Sequence, residues 1–122
     1  MKTLLVVDDS RAIRMAIRRI LEGLAFSVAE AADGRQALDY VTTQGCPDGV
    51  FLDIDMPEMD GIACLRALRA SPATVSLPVV MCSTHNSVEK IGEALENGAD
   101  EYIMKPFDED IVRGKLEQVH LL

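Results

Sequence analysis

The stretch "VFLDIDMPEMDG", residues 50–61, runs from an apolar ladder straight into a loop crowded with carboxylates. Val50, Phe51 and Leu52 form a short continuous run of β-favouring residues, the pattern of an interior strand covered on both faces. Pro57 prevents a simple continuation, and Gly61 permits the turn that opens a following helix. Asp53 therefore stands at the carboxyl end of a central strand. In an open α/β sheet ligands bind at that edge, so the rest of the chain must be read for what else it brings there.

Outward from this stretch, strand and helix patterns alternate five times. Thr3 to Val7 reads as a strand, and Ile13, Ala16, Ile17, Ile20 and Leu21 then recur at helical spacing, with Arg11, Arg14 and Arg18 on the opposite face. Ser10 can cap this helix and Gly23 lies near its end. Phe26 to Ala31 reads as a second strand, followed by an Asp33-Gly34 turn and a helix marked by Ala37, Leu38 and Val41. A third helix carries Ile62, Leu65 and Leu68 until Ser71-Pro72 ends it. Leu77 to Ser83 predicts a fourth strand, and Val88, Ile91, Ala94 and Leu95 a helix stopped by Asn97-Gly98. Glu101 to Met104 predicts the fifth strand, and Ile111, Val112, Leu116 and Val119 the last helix. Such alternation implies a parallel sheet with helices on both faces and right-handed crossovers. The expected fold is α/β and flavodoxin-like, a (βα)5 three-layer sandwich with strand order 2-1-3-4-5, whose switch point lies between the first and third strands.

A chain of 122 residues, 48% hydrophobic, is expected to be one domain over residues 1–122 with a core that needs neither disulfides nor a structural metal. Its net charge of −8 disfavours nucleic acid and anionic membranes as partners. The first ten residues read as a strand rather than a leader, and no apolar run reaches membrane-spanning length. Cys46, Cys64 and Cys82 are odd in number and widely spaced, so they read as small core or loop residues of a reducing, cytoplasmic compartment. Cys82 and His85 lack the second ligand pair that a zinc site needs.

The predicted sheet sets the Asp8-Asp9 end of the first strand beside Asp53. At an effective dielectric of ~20 each close carboxylate pair costs about 4 kcal/mol, which a divalent cation among the oxygens would relieve. All-oxygen ligation with few protein groups suits Mg²⁺. The alternative for Asp8 and Asp9 alone is capping of the next helix. Ser83 and Lys105 end the fourth and fifth strands at the same edge; singly, they read as a helix cap and a solvated amine. As a set, a carboxylate, a cation site, a hydroxyl and an ammonium are the equipment for moving a phosphoryl group onto a carboxylate oxygen. Asp53 is then the nucleophile, Lys105 and the metal neutralise charge, and Ser83 holds a phosphoryl oxygen.

From "LLVVDDS" through "FLDIDMPEMDG" and "VVMCST" to "EYIMKPF", nearly the whole chain resembles the receiver domains of two-component response regulators, and specifically the stand-alone chemotaxis (CheY-like) type of alphaproteobacteria. The resemblance implies that Asp53 accepts phosphate from a histidine kinase. It implies Mg²⁺ or Mn²⁺ ligation by Asp9, Asp53 and the backbone carbonyl of Asp55, with Asp8 acting through water. It further implies a switch made of Ser83 and Tyr102, a cis peptide at Lys105-Pro106, and tuning of phosphoryl lifetime by Asp55 and His85. The chain would catalyse only its own phosphorylation and dephosphorylation, with a phosphatase as a further partner. No output domain is expected, so the chain, a monomer when unphosphorylated, would signal through the face of the fourth helix, fifth strand and fifth helix. Gly92, Glu93, Glu96, Tyr102, Lys115 and Gln118 are candidates for that face, with the flagellar motor switch as target.

Other readings stay open on sequence. A stand-alone phosphorelay or phosphate-sink receiver would use the same chemistry. The D-x-D of "FLDIDM" also resembles haloacid-dehalogenase phosphohydrolases, with Asp53 as nucleophile and Asp55 as acid/base, although Pro57 stands where that family places Thr or Val. A docking module that is never phosphorylated is the third.

Overall fold

The structure, a computed structural model, describes residues 1–56, 58–84 and 88–122. Its strands are β1 (Thr3–Val7), β2 (Ser27–Ala31), β3 (Gly49–Asp53), β4 (Val79–Ser83) and β5 (Glu101–Met104). Its helices are α1 (Arg11–Gly23), α2 (Gly34–Thr43), α3 (Gly61–Ala70), α4 (Val88–Glu96) and α5 (Glu109–Gln118). All four strand pairings are parallel and the order is β2-β1-β3-β4-β5, as the alternation predicts.

Side-chain alternation along the strands divides the core into two layers. Leu5, Val7, Val50, Leu52, Val79, Met81 and Tyr102 pack with buried residues of α2, α3 and α4. Leu4, Val6, Phe51, Val80, Cys82 and Ile103 pack with Ile17 and Leu21 of α1 and with Val112 and Leu116 of α5. Every residue of β3 and β4 is buried, which explains why those segments read as continuous apolar runs. The edge strand β2 buries fully only Ala31.

Helix starts are set by polar caps. Ser10, Asp33, Asp60 and Asp108 each accept a hydrogen bond from the backbone N–H three residues on, a contact of about 1 kcal/mol each. Two boundaries and one burial pattern differ from the sequence reading. β2 starts at Ser27 because Ala25 adopts φ 71° and Phe26 N–H bonds back to Leu21. β4 starts at Val79 because Leu77 N–H closes a turn onto Thr74 and Pro78 offers no N–H. The apolar set expected to seat α4 buries only Ala94, leaving Val88 85% and Leu95 48% exposed.

Candidate functional site

β1 and β3 lie side by side, and the chain leaves them toward opposite edges of the sheet, β1 to β2 and β3 to β4. That reversal opens the crevice at the carboxyl ends. Asp8 follows β1, Asp53 ends β3, Ser83 ends β4 and Lys105 follows β5. All four stand at one edge because a parallel sheet ends its strands together, and there Lys105 contacts both Asp8 and Asp53.

Asp8 is 2% exposed and bound from every side. Its N–H donates to the Ala31 carbonyl at 3.1 Å, and its Oδ1 accepts the Ser10 N–H at 2.9 Å. Its Oδ2 accepts from Lys105 Nζ at 2.6 Å, and its carbonyl accepts from Arg14 Nη1 at 2.6 Å. The cap of α1 is Ser10 rather than Asp8 or Asp9: Asp8 Oδ1 only accepts the Ser10 N–H, while its Oδ2 faces Lys105. Lys105 Nζ also donates to Asp53 Oδ1 at 3.1 Å, so one ammonium joins the ends of β1, β3 and β5. Carboxylate oxygens of Asp8, Asp9 and Asp53 lie within 4.8 Å of one another, with Asp9 exposed at the mouth.

The charges remain unbalanced. Burial pushes the Asp53 carboxyl up to about 6, with the Asp8 and Asp9 charges adding and Lys105 opposing. For Lys105, burial alone would depress the ammonium, but the Asp8 hydrogen bond and the charges of Asp53 and Asp8 reverse this and raise its pKa. Among the described residues, the Asp8 and Asp53 carboxylates share the Lys105 ammonium, with the Asp9 carboxylate beside them. A hard, oxygen-only donor set with one exposed member fits a small divalent ion such as Mg²⁺.

Asp60 caps α3, Glu58 takes φ 66° in the exposed turn, and Asp55 is exposed. Gly61 is required sterically: a Cβ there would lie 2.1 Å from the Asp53 carbonyl oxygen. Its N–H donates to the Ile54 carbonyl at 2.8 Å, drawing the start of α3 against the acceptor strand.

Ser83 is 1% and Tyr102 7% exposed. In the register, Met81 faces Tyr102 and Ser83 faces Met104, so Ser83 and Tyr102 are diagonal neighbours on one side of the sheet. The Ser83 side chain acts on the Tyr102 phenol. Burial raises the Tyr102 phenol, the Ser83 contact opposes this, and the Asp55 charge adds to the rise. Tyr102 sits inside the apolar cluster rather than on the surface. Lys105-Pro106 is a cis peptide. His85 lies outside the described residues. Of the output candidates, Lys115 is bound to Glu101 at 3.0 Å, and Glu96 and Gln118 are exposed. Sequence reasoning missed Arg14, which it assigned only to the polar face of α1. No spacing rule reveals that its guanidinium reaches the Asp8 carbonyl.

Among the described residues, no helix is long and apolar enough to cross a membrane. The response regulator MprA of Mycolicibacterium vanbaalenii is 42% identical over 104 residues, which are 85% of this chain and 44% of that protein. This chain therefore spans less than half the length of that relative. Among solved structures, the Vibrio cholerae chemotaxis protein CheY4 is 33% identical with a TM-score of 0.91, the match covering 98% of each chain. The receiver domain of Francisella response regulator 1452 is 31% identical with a TM-score of 0.85 and full coverage of both. Of these three, the Vibrio cholerae protein is named for a pathway, chemotaxis. The response regulator receiver domain family matches residues 4–117, and the chain belongs to that family.

Proposed function

We propose that this receiver is a phosphorylation-activated switch in which Asp53 takes a phosphoryl group from the phosphohistidine of a histidine kinase. The observation that carries this reading is Lys105 Nζ held at 3.1 Å from Asp53 Oδ1 beside the Asp8 and Asp9 carboxylates. An Asp53 oxygen attacks phosphorus, the P–N bond breaks, and its electron pair stays on the imidazole nitrogen, which takes up a proton. Lys105 pairs with the oxygens that gain charge, and the Ser83 hydroxyl donates to a phosphoryl oxygen. Asp9, Asp53 and the Asp55 carbonyl are the groups to hold Mg²⁺ or Mn²⁺, with Asp8 behind them. When bound, the ion neutralises phosphoryl charge. Turnover is confined to the chain's own phosphorylation and hydrolysis, with Asp55 and His85 setting the lifetime.

Modification then biases the Ser83–Tyr102 pair and, through it, the α4, β5 and α5 face. Likeness to the Vibrio cholerae chemotaxis protein across 98% of both chains supports output to a flagellar motor switch. Likeness to MprA, of which only 44% is matched, supports instead a receiver that governs a further module. Intact mass after incubation with Mg²⁺ and acetyl phosphate tests the acceptor. One phosphoryl adduct is expected, lost in Asp53→Asn and on chelation; no adduct on a folded, metal-bound chain sinks the reading. A phosphorylated chain that fails to bind a motor-switch protein removes the chemotaxis output and leaves the acceptor standing.

A further inference from the structure

We propose that Arg14 is a positioning residue of the cation site, acting through the Asp8 carbonyl on the direction of the Asp9 carboxylate. The inference rests on the reading of Asp8, Asp9 and Asp53 as that site.

The Arg14 side chain is only 15% exposed, although it belongs to the polar face of α1. Its Nε donates to Glu30 Oε1 at 2.9 Å, and its Nη1 donates to the Asp8 carbonyl at 2.6 Å. Glu30, on the edge strand β2, is held in turn by Arg18 Nε at 2.8 Å. Burial would raise the Glu30 carboxyl, but hydrogen bonds from Arg18 and Arg14 and their charges hold it below its ordinary range. An ionised Glu30 thus anchors one edge of the Arg14 fork while the other edge clamps the peptide between Asp8 and Asp9. Because a peptide unit is planar, fixing the Asp8 carbonyl oxygen fixes the Asp9 N–H and the plane from which the Asp9 side chain departs. The same segment is pinned at Asp8 N–H by Ala31 and at Asp8 Oδ1 by Ser10, and Arg14 adds a restraint at the Asp8 carbonyl.

Charge and position make opposite predictions. A guanidinium bonded to the back of an acidic cluster repels a divalent cation, so by charge alone its removal tightens binding. If its role is to orient Asp9, removal loosens binding instead, at the lower end of the 10- to 100-fold range for outer-shell partners. Lysine retains the charge but does not reproduce two fixed donors on separate nitrogens.

The test is Mg²⁺ titration calorimetry on the wild-type chain and on Arg14→Gln, Arg14→Lys and Glu30→Gln, with amide NMR spectra of each metal-free protein. Affinity is expected to fall about 10-fold in Arg14→Gln and comparably in Arg14→Lys, with a smaller loss in Glu30→Gln. Unchanged or tighter binding in Arg14→Gln overturns the proposal, as does a lower melting temperature with unchanged affinity, which marks a purely structural role. Should Arg14→Gln not fold, unchanged affinity in Glu30→Gln overturns it. A wild-type chain that binds no Mg²⁺ overturns this proposal and the cation-site reading together. Wild-type binding with indifferent variants overturns only the role of Arg14.

Discussion

Leu52 and Asp53 are consecutive residues of β3, 0% and 6% exposed, and they act on stability in opposite directions. Leu52 belongs to the apolar interior, where burial of a large side chain contributes about 1.5–3 kcal/mol. Asp53 is buried at the carboxyl edge beside two like charges, and its carboxyl rises to about 6 as a result. The sheet interior therefore supplies the stability that the site uses. A strained ionisable edge is tolerated because the strands beneath it are fully covered.

The comparison can be broken most severely from the interior. Phe51→Ala, at a position 1% exposed, is expected to cost about 3–5 kcal/mol in urea denaturation. A loss below 1 kcal/mol would mean that the interior is not what supports the edge. Next in size is the ion: Mg²⁺ at ~100 times its dissociation constant should stabilise the wild-type chain by about 2.7 kcal/mol, with most of that gain absent in Asp53→Asn.

Asp53→Asn without metal should be the more stable chain at neutral pH, by about 2 kcal/mol. The sign follows from linkage. Asp53 holds its proton to about pH 6 when folded and to 3.8 in its unperturbed state, so the folded chain binds more protons between those values. Its contribution to stability falls as pH rises through that window, to a deficit of at most about 3 kcal/mol at ~1.36 kcal/mol per pH unit. Denaturation of both chains from pH 4 to 8 checks this. The difference should be near zero at pH 4 and full above pH 6, and a gap of constant size across the range would refute the assignment to Asp53.

The smallest effect belongs to α4. α3 buries Ile62, Cys64, Leu65 and Leu68, whereas α4 buries Ala94 alone. Leu95→Ala, at a residue 48% exposed, should change stability by no more than about 0.5 kcal/mol. A larger loss would show that α4 is seated as firmly as α3. Weak seating is what the proposed switch requires of a segment that shifts on modification.

What the amino-acid order determined by itself was the alternation of strands and helices and, with the flavodoxin-like order chosen for five strands in this length, the place of Asp8, Asp9, Asp53, Ser83 and Lys105 at one edge. The alternation follows from local period and the crossover hand from chirality, so no atomic detail was needed to read them. The shallow packing of α4, the inward place of Tyr102, the clearance over Gly61 and the Arg14 clamp were decided only by tertiary structure. Each depends on side-chain direction across elements far apart in the chain, as with Lys105 and Asp8 at 97 residues' separation. Periodicity assigns a residue to a face, but which distant group that face meets is set by strand register and helix placement.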